Sequence, residues 1–251
     1  MILLLGGTSD AEKIAHQLTK LEKPFIVSVA TDYGVSVTKK YTDSVYQGRM
    51  DQEQMIKFIK ERKITLIIDG THPFANLVSE NAIAASAISS IPYLRYERDT
   101  CQEMSGVTHV ATSQEACELA LKTTGKIYLT VGSKTMAEYV AQLPLERIKT
   151  RVLPVVSVIK ELSALGLNSD HIEALRGPFS TELNVALLKN AEASVLITKE
   201  SGTTGGILEK SEACRQLGIP CIMIQRPKVD YPHVIHDPED VSDWLVKEWH
   251  K

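Results

Sequence analysis

Strand-like and helix-like segments alternate along almost the whole chain of 251 residues, and this alternation restricts the fold to βαβ units built on parallel sheets. Residues 2–5 are an apolar run of strand length. Residues 9–21 follow as a helix with Ala11, Ile14, Ala15, Leu18 and Leu21 on one face. Further strands are expected at 25–30, around Val45, at 64–68 and at 93–96, with helices at 51–62 and 75–89. Asp51 and Gln54 have capping-box spacing at the start of the helix over 51–62. Residues 97–106 are polar and irregular and read as a link. Beyond it the pattern predicts strands at 127–131, 148–152, 172–175, 195–198 and 221–224. Helices are expected at 113–122, from Ser180 to about residue 189, at 207–217 and at about 238–249. The fold class is therefore α/β: two Rossmann-like parallel-sheet lobes, residues 1–98 and 99–251, with an active-site cleft between them. Two similar sheets on one chain leave strand exchange between lobes open, because periodicity does not assign an edge strand to a sheet.

Charge and punctuation remove several function classes. With 28 basic and 31 acidic residues the net charge is −3, and no basic run marks a nucleic-acid partner or a membrane surface. A local basic cleft for a polyanionic small molecule is still compatible with that balance. No apolar run approaches the ~20 residues of a spanning helix. Met1 to Gly6 reads as a strand rather than a leader. Cys101, Cys117, Cys214 and Cys221 contain no CxxC and read as reduced thiols of a cytoplasmic protein, with Cys214 and Cys221 packed in a core. His233 and His236 form an HxxH with no third ligand suitably spaced, so no metal is expected. The chain lacks YxxxK, GxxxxGK[ST] and GxSxG, which sets aside short-chain dehydrogenases, P-loop enzymes and α/β-hydrolases.

Chemistry is expected in the loops at the carboxyl ends of the strands. Gly6-Gly7-Thr8-Ser9-Asp10-Ala11 joins the first strand to the first helix, with Gly6, Thr8 and Ala11 in the three places of a degenerate dinucleotide fingerprint. A plain glycine-closed turn has the same spacing. Its position at the opening of the first βαβ unit favours a nucleotide, whose pyrophosphate would meet the helix N-terminus. Ser9 and Glu12 are expected to cap that helix. Past the second strand, Thr31 is followed by Asp32, which suits a ribose 2′-hydroxyl; past the third, Arg49 suits a 2′-phosphate. These two signals conflict over NADH and NADPH. Asp69-Gly70-Thr71-His72-Pro73-Phe74-Ala75 adds a polar cluster before an Ala-rich helix that Thr71 is expected to cap. His72 is a candidate proton donor, orienting residue or nicotinamide neighbour. In the second lobe, Gly132-Ser133-Lys134, Gly177-Pro178-Phe179-Ser180 and Lys199 to Gly206 are polar strand ends suited to an anionic ligand. Lys199 and Glu200 either serve as a proton source or pair with each other. Arg95 and Arg98 are expected to face the cleft and meet carboxylates.

Taken in order, the Gly6–Ala11 and Asp69–Ala75 segments, Tyr93-Leu94-Arg95-Tyr96-Glu97-Arg98, Gly132-Ser133-Lys134, Arg151-Val152-Leu153-Pro154, Gly177-Pro178-Phe179-Ser180 and Thr198-Lys199-Glu200-Ser201-Gly202 resemble the precorrin-6A reductase family, cobalt-precorrin-6A reductases included. Each piece is weak alone; the ordered set, running over nearly the whole chain, is specific. Asp99 departs from the pattern, standing where a proline is expected. The resemblance implies an oxidoreductase of cobalamin biosynthesis that transfers hydride from NADPH, in preference to NADH, to a ring-contracted tetrapyrrole, with no metal or flavin. It implies cofactor contacts at Gly6, Gly7, Thr8, Ser9, Thr31, Arg49, Gly70 and Thr71, and substrate contacts at Arg95, Gly132, Ser133, Lys134, Phe179, Ser180, Ser201 and Gly202. His72, Lys199 and Glu200 are the catalytic candidates. Monomer and homodimer both stay open. An S-adenosylmethionine-dependent tetrapyrrole methyltransferase and a non-catalytic dinucleotide sensor are the alternative readings.

Overall fold

The computed structural model describes residues 1–98, 104–202 and 205–249; Cys101 and the other link residues at 99–103 lie outside the described residues. The chain divides into two units, one made of residues 1–99 with 227–251 and the other of residues 100–226. The first begins with β1 (Ile2–Leu5), α1 (Ser9–Lys20), β2 (Phe25–Val29), α2 (Asp32–Thr38), β3 (Val45–Gln47), α3 (Gln52–Arg62), β4 (Leu66–Asp69), α4 (Asn76–Ile88) and β5 (Tyr93–Tyr96). The second holds β6 (Val107–Val110), α5 (Ser113–Ala120), β7 (Lys126–Thr130), α6 (Met136–Val140), β8 (Ile148–Val152), α7 (Val156–Ala164), β9 (Ile172–Ala174), α8 (Thr181–Asn190), β10 (Ala193–Lys199), α9 (Ile207–Leu217) and β11 (Cys221–Ile224). The chain then returns to the first unit with β12 (Val234–Ile235) and α10 (Asp240–Glu248).

Alternation along β1 shows how the first unit is layered. Ile2 and Leu4 pack in one cluster with Ala11, Ile14, Ala15 and Leu18 of α1 and Val241 and Leu245 of α10. Leu3 and Leu5 pack in another with Met55, Phe58 and Ile59 of α3 and Ala82 and Ala85 of α4. Successive side chains of a strand point to opposite faces, so a run that is apolar at every position needs helices on both sides. Each such fully buried aliphatic side chain contributes roughly 1.5–3 kcal/mol. In the second unit, Tyr128 of β7 and Leu196 of β10 pack on Leu188 of α8 and on Ala213 and Cys214 of α9. Cys117, Cys214 and Cys221 are buried free thiols.

Both sheets are parallel, in the orders β12-β5-β4-β1-β2-β3 and β6-β11-β10-β7-β8-β9. Five strands follow one pattern in each, β5-β4-β1-β2-β3 and β11-β10-β7-β8-β9. The sixth strands are exchanged: β6 follows β5 in sequence but pairs with β11, and β12 follows β11 but pairs with β5. This corrects the division at residues 98/99, which gave the C-terminal segment to the second lobe. Arg95 N–H and Glu97 N–H donate to His233 O and Ile235 O, each at 2.9 Å, and these bonds hold β12 to the first sheet. Elements not anticipated, α2, α6, α7, β6 and β12, run from two to nine residues, and the four shortest carry too little periodicity to read. No described helix is long and apolar enough to cross a membrane.

The exchange has a measurable consequence. Removing residues 227–251 should strip hydrogen-exchange protection from the amides of Arg95 and Glu97 while leaving the amides of β7 and β10 protected. Equal loss in both units would show that the C-terminal segment braces the whole chain.

Candidate active site

The first sheet reverses its winding at β1, which lies between β2 and β4, so the loops after β1 and β4 flank a topological switch point. One hydroxyl joins them. Thr8 Oγ1 donates to Gly70 O at 2.6 Å and accepts the Ala11 N–H at 3.1 Å. Thr8 is thus the N-cap of α1, one residue before the expected Ser9; Ser9 is the first helical residue and is exposed. Gly70 is buried because a Cβ there would meet Ala11 Cα at 3.1 Å, so the β4 loop packs directly on α1. At Gly7 the backbone has φ +96°, and nothing lies within 4 Å of where a Cβ would stand. Open backbone at the head of a 12-residue helix suits the pyrophosphate of a dinucleotide. Thr8 would contribute backbone only, since its hydroxyl is committed. Thr31 accepts the Gly34 N–H at 3.0 Å as N-cap of α2, and Asp32 accepts from Gln47 Nε2 at 2.7 Å. Arg49 is exposed just beyond β3.

Behind Gly70 sits a buried carboxylate. Asp69 Oδ1 accepts from Thr71 N at 2.9 Å, Thr71 Oγ1 at 2.7 Å and Arg95 Nη1 at 2.9 Å. Its Oδ2 accepts from Ser79 Oγ and Tyr93 OH, each at 2.6 Å. Burial alone would raise the carboxyl pKa; the Arg95 guanidinium and the hydroxyl donors outweigh it and hold the group below the usual carboxylate range. Two expectations change here. Thr71 does not cap α4, which starts at Asn76 without a side-chain cap; its hydroxyl turns back to Asp69. Arg95 does not face a ligand: it is 1% exposed, bonds Asp69, Thr71 and Glu97, and lies 5.1 Å from the Tyr231 ring. Arg98 likewise pairs with Asp10 in the first turn of α1. His72 is exposed, and its Nδ1 accepts the Phe74 N–H at 3.2 Å.

The second sheet reverses at β7, between β10 and β8. Here too a hydrogen bond crosses the switch point: Lys199 Nζ, at the end of β10, donates to Thr135 Oγ1 at 3.2 Å, beside Gly132-Ser133-Lys134. Burial lowers the pKa of the half-buried Lys199 ammonium; Glu138 opposes that and Lys134 adds to it. Glu200 turns elsewhere, with Oε2 accepting the Arg226 N–H at 3.3 Å and its carbonyl accepting Arg226 Nε at 3.1 Å. Adjacent strand residues point to opposite faces, so Lys199 and Glu200 serve different neighbours. Ser201 and Gly202 are buried, Gly132 and Lys134 exposed, Ser133 half-buried. Ser180 caps α8 by accepting the Leu183 N–H at 3.3 Å. Phe179 stacks under Arg151, whose guanidinium is 4.1 Å from its ring and donates to Asn184 Oδ1 at 3.0 Å. Arg151 was not singled out as a site residue; a charged residue inside a strand otherwise built to be buried was the signal. Among the described residues no group of three or more His, Cys, Asp or Glu is placed to hold a metal.

Asp69→Asn should cost about 3–5 kcal/mol in urea unfolding, because it leaves Arg95 as a buried cation short of its partner. Asp69 is held below its unfolded value, so its contribution is present above about pH 4 and lost as pH falls through the lowered folded value. Wild-type stability should therefore drop on acidification more steeply than that of Asp69→Asn; parallel curves would remove Asp69 from that role.

Three comparisons bear on the family and the fold. Residues 1–246 match the family model described as "Precorrin-6x reductase CbiJ/CobK". A cobalt-precorrin-6A reductase of Priestia megaterium is 40% identical over 99% of both chains. One from Salmonella typhimurium is 38% identical over 90% of this chain and 87% of its own. The solved structure "CobK precorrin-6A reductase" superposes with a TM-score of 0.81 at 23% identity, covering 98% of this chain and 96% of that one, which establishes the shared fold. A parallel two-sheet architecture and a full-length family match lead to one conclusion: this chain belongs to the precorrin-6x reductase family.

Proposed function

We propose that the protein is a cytoplasmic NADPH-dependent reductase that acts on precorrin-6A or cobalt-precorrin-6A in cobalamin biosynthesis, a small-molecule corrin intermediate. The observation that carries the cofactor half is the Thr8–Gly70 hydrogen bond, which couples the open backbone of Gly7 to the loop bearing His72. Bound NADPH supplies the hydride. Gly6 to Ser9 would hold the pyrophosphate through backbone N–H groups and the α1 dipole. Thr31, Gly70 and Thr71 would line the same edge. Arg49 is the candidate for the 2′-phosphate, because Asp32 is held by Gln47.

Reduction of one double bond also consumes a proton. The Phe74 N–H needs a lone pair on His72 Nδ1, so the neutral ring carries its proton on Nε2. Giving up that proton from the neutral ring would leave an imidazolate. A donor imidazolium would need a proton on Nδ1 and would lose the Phe74 bond. We therefore give His72 an orienting role in place of proton donation. Lys199 is the better proton source: burial weakens its hold on the proton, and it stands at the switch point of the second sheet. Glu200, fixed to Arg226, would hold the strand end on which Lys199 is mounted. Lys134 and the Ser133, Phe179, Ser180 and Gly202 loops would meet the substrate carboxylates.

Thermal-shift titration tests the reading. NADPH should stabilise the protein by about 2.7 kcal/mol at a hundredfold excess over Kd. Arg49→Ala should weaken NADPH more than NADH; equal loss would exclude Arg49 as the phosphate partner. Stabilisation by S-adenosylmethionine in place of NADPH would move the protein to the methyltransferase reading.

If Lys199 is the acid, kcat requires its protonated form and falls as pH rises through a midpoint below the ordinary lysine value. Lys199→Met should lower kcat about 100-fold and abolish that alkaline limb. His72→Ala should lower kcat less and keep the limb. A limb that survives in Lys199→Met would assign the proton to another group.

A further inference from the structure

The second unit contains a buried ammonium that the proposed reduction does not use. Lys210 lies in the first turn of α9 and is 8% exposed. Its Nζ donates to Gly205 O at 2.9 Å and to Thr198 Oγ1 at 3.3 Å. Among the described residues no carboxylate forms an ion pair with it. The charged and titratable groups around it are Arg151 on β8, Cys221 on β11 and its neighbour Glu209. Burial, reinforced by Arg151, pushes its pKa down to about 8. A lysine buried without an anion is costly and persists where its donors are needed.

The two acceptors bracket one segment. Thr198 precedes Lys199 at the end of β10, and Gly205 closes the loop before α9. Gly205 lies close to the residues just after β10: its N–H donates to Gly202 O at 2.9 Å, and a Cβ on Gly205 would stand 1.7 Å from Ser201 Oγ. One side chain thus ties both ends of the stretch that contains Lys199, Glu200, Ser201 and Gly202. Neutral or charged, the amine has enough N–H groups for two acceptors, so the tie survives deprotonation.

We infer that Lys210 is a positioning residue for the substrate loop, fixing Lys199, Ser201 and Gly202 as one array by holding Gly205 and Thr198 together. The inference rests on the reading above that this loop meets the tetrapyrrole. Lys210 acts through Thr198 and Gly205, not by touching substrate or cofactor.

The test uses the full-length protein with cobalt-precorrin-6A as substrate. Lys210→Met should raise KM about tenfold, the effect of roughly 1.4 kcal/mol of lost hydrogen bonding, while the NADPH Kd stays within about twofold. Exchange of the Gly205 amide should accelerate by a similar factor. Lys210→Gln, which keeps an N–H donor, should recover most of the KM. An unchanged KM and an unchanged Gly205 exchange rate in a folded Lys210→Met protein would overturn the inference, as would equal losses in KM and NADPH affinity. Should Lys210→Met not fold, Thr198→Val and Lys210→Gln take its place: faster Gly205 exchange in Thr198→Val supports the tie, and no change overturns it. If the wild-type protein reduces no tetrapyrrole, the functional reading falls, and Gly205 exchange still decides what Lys210 holds.

Discussion

The Asp69 carboxylate is the interaction on which the first unit's site depends. It gathers donors from the turn after β4, from α4 and from β5 into one buried point. The desolvation cost of such a group is several kcal/mol, and a single ion pair would not reliably offset it. Five donors on two oxygens do, because both oxygens accept more than one hydrogen bond. What results is geometric: Thr71 is fixed twice over, Gly70 is pressed on α1, and the Gly70 carbonyl is aimed at Thr8. Arg95 closes the arrangement by adding Glu97 and the Tyr231 ring, so the C-terminal segment that crosses back also contributes to this site's support.

The two units share the strand order β5-β4-β1-β2-β3 and its counterpart β11-β10-β7-β8-β9, yet they equip their switch points differently. The first offers backbone: an open Gly7 and the N-terminus of α1, with its two nearby arginines turned inward to Asp69 and Asp10. The second offers side-chain cations: Lys199 at the strand end, Lys134 exposed beside it and Arg151 stacked beneath Phe179. Backbone N–H groups suit a pyrophosphate of fixed shape. Lysines on flexible stems suit several carboxylates on a larger molecule. This difference supports assigning cofactor to the first unit and substrate to the second.

How much of this was legible follows from what each signal depends on. Periodicity and apolar runs predicted β1, β5, β8, β11 and α9 at their observed ends, because those patterns are local and strong. The Asp51–Gln54 capping box is formed as its spacing predicts. The exchanged strands were not readable: β12 has two residues, and its partner is chosen by tertiary contact. The caps failed for a similar reason. Ser9 and Thr71 have the right chemistry but stand one and four residues from the observed N-cap positions, Thr8 and Ala75; Thr8 is tied to Gly70 and Thr71 to Asp69, partners far off in sequence or in a strand. Arg95 was misread as a ligand contact because sequence shows a charge without showing its burial.

Lys199 and Lys210 show the same limit from the other side. Both sit near one loop, and burial weakens both ammoniums. Lys199 is half-buried at a strand end beside exposed groups and donates to Thr135, which is why the proposed reading gives it the proton. Lys210 is enclosed, and both its oxygen partners belong to the protein, so its donors are spent on the loop itself. Equal chemistry thus gives two roles, and what separates them is which side of Thr198 to Gly205 each lysine approaches: one at its strand end, the other from the helix that follows.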